Sequence, residues 1–282
     1  MSVGVEGTGS WGAGLARFLA TAEISVIEIN RPDRQARRRH GKNDTVDAIA
    51  AARAVLSGDA TSIPKAAGGN VECIRLLRVA RRSAIHARTQ AVNQFQSIVD
   101  TAPDDLRAEL TALRGRIRFA KAARFHTPTS MSPRAAAKIS LCAIARRWIA
   151  LDAEIHALDL HLRRLVEETA PALVARHAIG PDTAGAPLVA AGDNPERLRS
   201  EATFASLCGA SPIEASSGRT NRHRLNRGGN REANSALWRI VLVRMNSDDR
   251  TRTLCRMPNK GRALQARDHS LPEALRRTRD LP

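Results

Sequence analysis

The chain has 282 residues, room for about two domains with cores of their own, and 45 Lys+Arg stand against 28 Asp+Glu for a net charge of +17. So basic a surface calls for a polyanionic partner; no apolar run approaches the ~20 residues that span a bilayer, which argues against a membrane and for nucleic acid. Four scattered cysteines without a C-x-x-C pair argue against structural zinc and a disulfide framework, no secretory signal opens the chain, and with no Tyr and 3% aromatics, base stacking is a poor recognition mode; a reducing cytoplasm is the expected location.

The first elements read as a strand, SVGVE, a glycine-rich turn, GTGSWG, a helix, AGLARFLATA, and a second strand, EISVIEIN. This order builds a parallel α/β sheet. The turn lacks the third glycine of a dinucleotide fingerprint; instead it leaves Glu6 at the carboxyl end of its strand, where α/β sheets place ligands. Next comes RPDRQARRRHGK, with six Lys/Arg against one Asp, in which Arg37, Arg38 and Arg39 are candidate phosphate contacts. A helix follows from Asp44 to Leu56. Asp44 and Asp47, three apart at its head, have two readings: an N-cap with its first-turn partner, or, with Glu6, hard oxygen ligands for Mg²⁺.

After a turn-like GDATSIPKAAGGN, a long helix over 71–102 carries Arg75, Arg78, Arg81, Arg82 and Arg88, a concentration that points to phosphate contacts more than to a merely solvated face. Residues 103–137, with Pro103, Pro128 and Pro133, read as a short helix plus linker. Leu141, Ile144, Trp148, Leu151, Ile155, Leu158, Leu162 and Leu165 then alternate in steps of three and four, the seam of a coiled coil. Its partner is either another chain or the helix at 72–100 folded back through Ile85, Val92, Phe95 and Val99. From about 171 the composition becomes that of a compact helical domain. HAIGPDTAGAPLVAAG reads either as a helix-hairpin-helix turn, with Gly180 opening backbone amides to a DNA phosphate, or as a ligand-free helical hairpin.

Ser216 and Ser217 precede Gly218, and Arg219, Arg222, Arg224, Arg227 and Arg231 follow within thirteen residues. A serine hydroxyl is a weak nucleophile alone, and guanidinium groups around it would bind a scissile phosphate and offset charge in the transition state. The alternative is a Ser/Gly surface loop with basic flanks that only positions a nucleic-acid backbone.

Taken in order, VEGTGSWGAGLARFL, INRPDRQARRRHGKNDTVDAIAAARA and AGDNPERLRSEATFASLCGASPIEASSGRTNRHRLNRGGNREANSAL resemble the IS110 transposase family over about residues 3–252. The resemblance implies an α/β plus all-α architecture. Its parts are a partial RuvC-like (RNase H fold) domain over 1–66, a helical coiled-coil region over 67–170, a C-terminal transposase domain over 171–252 and a degenerate tail over 253–282. It further implies excision and insertion of DNA with Mg²⁺, a serine–DNA covalent intermediate, a structured guide RNA and a homo-oligomer. Residue by residue, Glu6 matches the second acid of the family's DEDD set and Asp44 and Asp47 the third and fourth. Ser217 matches the nucleophile with Ser216 as fallback, and Arg224, Arg227 and Asn230 belong to the basic stretch after it. This moves the two aspartates from caps to metal ligands.

Only five residues precede Glu6, so no counterpart of the first Asp is present, and impaired catalysis is expected. After Arg252 helical periodicity is expected to lapse, as a frameshift near Thr253 would produce. The competing functions are a non-catalytic nucleic-acid-binding remnant and a RuvC-type junction nuclease; the latter gives no reason for the Ser217 cluster.

Overall fold

Strand β1 (Ser2–Glu6), helix α1 (Ala13–Thr21), strand β2 (Ser25–Ile29) and helix α2 (Asp44–Leu56) open the chain. The computed structural model describes residues 1–29, 44–126, 130–194, 197–198, 200–218, 220 and 222–256. Two units partition it: Met1–Glu72 with Thr169–Pro282, and Cys73–Glu168. β1 and β2 are parallel, in register from Ser2↔Ser25 to Glu6↔Ile29, and parallel neighbours require a crossover, which α1 supplies. Gly7, at φ +68, starts the turn into α1, and a Cβ on Gly12 would lie 2.5 Å from the Glu6 carbonyl oxygen. These two glycines are therefore needed by the chain's own path. Because strand side chains alternate, Gly4, Glu6, Ile27 and Ile29 share one sheet face and Val5 and Glu28 the other. α2 covers the first face, since a Cβ at Gly4 would meet Val55 Cγ2 at 2.9 Å.

Helices α3 (Asn70–Thr101), α4 (Asp104–Thr111), α5 (Gly115–Ala122) and α6 (Pro133–Thr169) come next, and residues 73–168 form the second unit. α3 and α6 are antiparallel. Arg81 Nε donates to Asp159 at 2.5 Å, Arg88 Nη1 to Asp152 at 2.6 Å and Arg147 Nη2 to Gln94 at 2.7 Å. Positions that rise along α3 thus meet positions that fall along α6. None of the eight heptad-spaced residues of α6 is exposed, and their partner is α3 of the same chain. Of the four expected facing residues of α3, Phe95 and Val99 are buried and Ile85 half-buried, whereas Val92 is exposed; Ile74, Leu77, Arg81, Ala84, Arg88, Ala91 and Ile98 are covered as well. Arg81 and Arg88 can stand among them because their aliphatic stems are covered and their guanidinium groups ion-paired. These two arginines are corrected from phosphate contacts to intrachain partners. Where a short helix plus linker is expected, two helices form, and Leu106, Leu110, Phe119 and Ala122 of α4 and α5 join Phe95, Val99, Leu141 and Ala145 in one buried cluster. Within it Phe119 stacks on Trp148, centroids 4.3 Å apart.

The chain returns to the first unit through α7 (Pro171–Val174), α8 (Pro181–Ala191), α9 (Glu201–Leu207), the strands β3 (Ile213–Glu214) and β4 (His223–Arg224), α10 (Arg231–Ser247) and α11 (Asp249–Arg256). α10 buries Ala233, Ala236, Leu237, Ile240 and Val241 and packs on α8, whose small residues Ala184, Gly185, Ala186 and Ala190 are buried too. Arg244 of α10 is buried and its Nε donates to the His177 carbonyl oxygen at 3.0 Å, fixing the turn before α8; burial lowers its pKa. In that turn Ala178 takes the left-handed conformation, φ 66, while Gly180 sits at an ordinary φ of −92. The Gly180 N–H donates to Thr183 Oγ1 at 2.9 Å, and an acid, Asp182, stands in the first turn. The Gly180 amide is thus occupied within the protein, and Asp182 is ion-paired to Arg239 at 3.5 Å. Helical structure also continues beyond Arg252, to Arg256. Asp248 starts this helix by accepting from Thr251 N at 2.9 Å and Thr251 Oγ1 at 2.5 Å, bonds that hold its carboxyl below the usual range. Among the described residues no helix is long and apolar enough to cross a membrane.

What joins the two ends of the first unit is a polar clasp. Asp193 accepts from the N–H groups of Val71 (2.8 Å), Glu72 (3.2 Å) and Gly69 (3.3 Å) at the head of α3. The first amides of a helix have no partner within it, and here an aspartate more than a hundred residues away supplies one. Asn194 bonds both sides of the incoming segment, from Ala66 N to its Oδ1 and from its Nδ2 to Pro64 O, each at 3.0 Å. Lys65 Nζ reaches the Val189 carbonyl oxygen at 2.9 Å. Replacing Asp193 with Ala is expected to lower stability by about 1–2 kcal/mol, the usual worth of a lost cap, with Asp193→Asn losing less because an acceptor remains. Urea midpoints at unchanged m-value measure this.

Candidate functional site

Two sets of residues bear on chemistry, both in the first unit. The acidic set is built on β1 and α2. Glu6 is the last residue of β1 and lies on the sheet face that α2 covers. On α2 the half-buried stripe is Asp47, Ala50, Ala51, Ala54 and Val55, so Asp47 belongs to the packed side of the helix, while Asp44 is exposed one turn away. Both acids sit in the first turn of α2, where the helix dipole favours negative charge whichever role they play. Three carboxylates are the hard oxygen donors a divalent cation prefers. They are placed on adjoining elements, yet among the described residues no three Asp, Glu, His or Cys side chains converge on one metal position. The donor chemistry fits; the gathered geometry is not present.

The serine set is built on a hairpin. β3 and β4 pair antiparallel, Ile213↔Arg224 and Glu214↔His223. Beyond the two strands Ala215 N donates to Arg222 O at 2.8 Å, and Ser217 and Thr220 form an isolated antiparallel bridge, exchanging both backbone bonds at 3.2 and 3.1 Å, at positions that keep the same register count. Gly218, at φ +57, opens the turn, the conformation a two-residue hairpin loop asks of its first position. Directly opposed residues and those two apart share a face. The register therefore sets Ser217, Thr220, Ala215, Arg222 and Arg224 on one face and Ser216, Glu214 and His223 on the other. Arg222 and Arg224 stand roughly 7 Å apart along the strand.

The two serines differ in what they hold. Ser216 Oγ accepts the Arg222 N–H at 3.2 Å, so its hydroxyl serves the hairpin. Among the described residues no group bonds the exposed Ser217 hydroxyl. Likewise the exposed side chains of Arg222, Arg224 and Arg227 have no ion-pair partner among the described residues. Arg37, Arg38, Arg39 and Arg219, the other candidate phosphate contacts, lie outside those residues.

The base of the hairpin is anchored where its tip is exposed. A Cβ on Gly229 would lie 2.1 Å from Gly209 N, so the chain after β4 can lie against the end of α9 only with glycine there. Asn230 N donates to Leu207 O at 2.7 Å, and Asn226 Nδ2 to Ser206 O at 3.2 Å. Asn230, placed by resemblance in a basic binding stretch, is the N-cap of α10: its Oδ1 accepts from Glu232 N and Ala233 N, both at 3.0 Å. Cys208 beneath it is buried, and burial pushes its thiol up to about 12, which removes it as a competing nucleophile.

Two family models match the chain in the order expected of one protein. Residues 1–102 match a transposase model bearing the DEDD and IS110 designations, and residues 171–256 match the transposase IS116/IS110/IS902 family. The chain belongs to the IS110 family of transposases. No curated individual protein matches it. Membership of a transposase family implies DNA as the partner, and the DEDD domain implies use of a divalent metal. In this IS110-family chain both sets of candidate residues lie in the matched segments.

Sequence reasoning left five residues without a role: Thr8, Glu28, Asp193, Asn194 and Arg197. Their contacts span about 20 to 130 positions, beyond any local pattern. The AGDNPERLR string was visible as family-like, but nothing in it announced a helix cap. Substituting Gly229→Ala is expected to cost about 1–3 kcal/mol through backbone overlap. Gly14→Ala, where an added Cβ meets nothing within 4 Å, should be neutral or slightly stabilising. Thermal unfolding of the two variants side by side provides the check.

Proposed function

We propose that this chain is an insertion-sequence transposase that breaks and rejoins DNA strands through Ser217. The carrying observation is the hairpin register, which sets the exposed Ser217 hydroxyl, bonded by no group among the described residues, on the same face as Arg222 and Arg224. In the proposed step Ser217 Oγ forms a bond to a backbone phosphorus as the bond from that phosphorus to one deoxyribose oxygen breaks, and the serine proton ends on the released hydroxyl. Rejoining is the reverse: a DNA hydroxyl attacks the phosphoserine ester, and the serine is restored. The energy of the broken phosphodiester is kept in the ester, so no further reactant is consumed.

Arg222 and Arg224 have two tasks in this reading. They hold the phosphate flanking the scissile bond, and they offset the negative charge that grows on its oxygens in the transition state. The exposed tip gives a duplex access, and the anchored base keeps the hydroxyl at a fixed height above it. Ser216 is a hairpin residue in this scheme.

The acids of β1 and α2 belong to the same activity in this reading, within an RNase H-like unit. Glu6, Asp44 and Asp47 are the residues that would hold a divalent ion, Mg²⁺ by chemical preference for carboxylate oxygen. Such an ion supplies Lewis-acid stabilisation of phosphate oxygens when bound. A structured guide RNA and self-association complete the proposal, on family grounds.

The test is capture of a covalent adduct. The chain is incubated with DNA carrying the ends of its own element plus Mg²⁺, denatured, and examined for DNA-linked protein. An adduct is expected for the native sequence and for Ser216→Ala at reduced yield, and none for Ser217→Ala. An adduct of equal yield in Ser217→Ala overturns the assignment, and no adduct with the native sequence favours a DNA-binding remnant instead. Separately, Arg222→Ala and Arg224→Ala should each weaken DNA binding across sequences and reduce the slope of log K against log salt by about 1.

A further inference from the structure

The polar clasp extends to a residue with no assigned role, on the sheet face opposite Glu6. Glu28 of β2 pairs in register with Val5, not with Glu6, so its carboxylate is not a further member of the acidic set. One oxygen, Oε1, accepts from Thr8 Oγ1 at 2.8 Å. The other, Oε2, faces the Arg197 guanidinium at 3.9 Å. Thr8 is buried, 7% exposed, although it stands in a turn whose neighbours Gly9 and Ser10 are exposed. It lies two residues after Glu6, within the loop closed by Ser10 N and Gly12 N donating to Gly7 O at 2.8 and 3.0 Å.

Arg197 is held as firmly as it holds. Its Nε donates to Ile63 O at 2.7 Å and its Nη1 to Ala191 O at 2.8 Å. Glu28 is fixed by its backbone too, with its N–H donating to Ser62 O at 2.8 Å. A polar chain, hydrogen-bonded except at the 3.9 Å ion pair of Glu28 with Arg197, therefore runs from the segment before α9 to the turn that follows Glu6.

We propose that Glu28 is a positioning residue for Glu6, holding the Gly7–Gly12 turn through the Thr8 hydroxyl and braced in turn by Arg197. A glycine-rich turn has many accessible conformations. A buried hydroxyl bonded to a carboxylate selects one, because breaking that bond leaves a polar group unsatisfied away from water. Arg197 matters because a cation facing the second oxygen of this carboxylate orients it, leaving the first oxygen for Thr8. The acidic half of the site is thus held by a residue that lies in sequence beside the serine half. This inference rests on the proposed role of Glu6.

The test uses the full chain with Thr8→Val, Thr8→Ser, Glu28→Ala and Arg197→Ala, and two readouts. In hydrogen exchange at the amides of Ser10 and Gly12, Thr8→Val and Glu28→Ala should speed exchange about tenfold, roughly the loss of one bond, while amides of α10 are unchanged. Thr8→Ser should restore native rates, and Arg197→Ala should give a smaller increase. In adduct formation, Thr8→Val and Glu28→Ala should slow the rate about 10–100-fold, the usual effect of removing a group that orients a ligand, with DNA affinity within about twofold of native. Unchanged exchange in Thr8→Val and Glu28→Ala overturns the inference, as does failure of Thr8→Ser to rescue. If the native chain forms no adduct, the proposed function fails, and the exchange readout still decides whether Glu28 holds the turn.

Discussion

A helix of 32 residues, Asn70–Thr101, must satisfy its first amides, and the first unit is organised around how it does so. The donors at its head are met by Asp193, which arrives from the far end of the sequence. A local serine or threonine could have served as a cap, but it would not have added this tie to those made by Lys65, Asn194 and Arg197. Gly69 makes room for the carboxylate: a Cβ there would overlap Asp193 Oδ1 at 2.3 Å. The amide of Asn194 then binds the extended segment before the helix from both its donor and acceptor ends. Hydrogen bonds to charged acceptors are worth more than neutral ones, so this clasp joins the acid-bearing and serine-bearing segments into one unit.

The serine hairpin follows a different logic. Its strands are only two residues long, too short to be stable as a free ribbon. Its shape comes from the ends. At the tip a positive-φ glycine reverses the chain, and at the base Gly209 and Gly229 allow backbone to lie on backbone. Asn226, Asn230 and Asn234 then bond the exposed carbonyls and amides of the adjoining helices. The anchored base and exposed face suit the proposed role of Ser217 as a nucleophile toward a bulky duplex. Among the described residues Arg222 and Arg224 on this face have no ion-pair partner, in contrast to Arg81 and Arg88 of the other unit.

That contrast explains where composition misleads. A run of arginines on a helix looks alike whether it faces phosphate or a facing aspartate, because the acids that neutralise Arg81 and Arg88 lie 78 and 64 positions away. The leucine periodicity of α6 was legible because a heptad repeat is local. The matching seam of α3 was legible only in part, through Ile85, Phe95 and Val99, since Arg81 and Arg88 among its covered positions carry charge. Gly180 likewise looked like the conformational pivot of its turn, but Ala178 takes the left-handed backbone, and the Gly180 amide is spent on Thr183.

What the sequence alone determined is the local and the ancestral: the β–turn–α–β opening, the helix headed by Asp44 and Asp47, the long apolar repeat, the Ser-Ser-Gly turn and, through the order of these motifs, the transposase family. Each is set by short-range periodicity, turn chemistry or a string of neighbouring residues. Tertiary structure alone decided that Asp193 caps a distant helix, that α3 is the partner of α6, that Ser216 serves the hairpin while Ser217 is left exposed, and that Glu28 holds the turn after Glu6 without joining the acids. Those outcomes depend on pleat register and on polar groups finding partners across long stretches of chain. A buried amide or hydroxyl must be satisfied by whatever the fold brings to it, and no local pattern records which residue that will be.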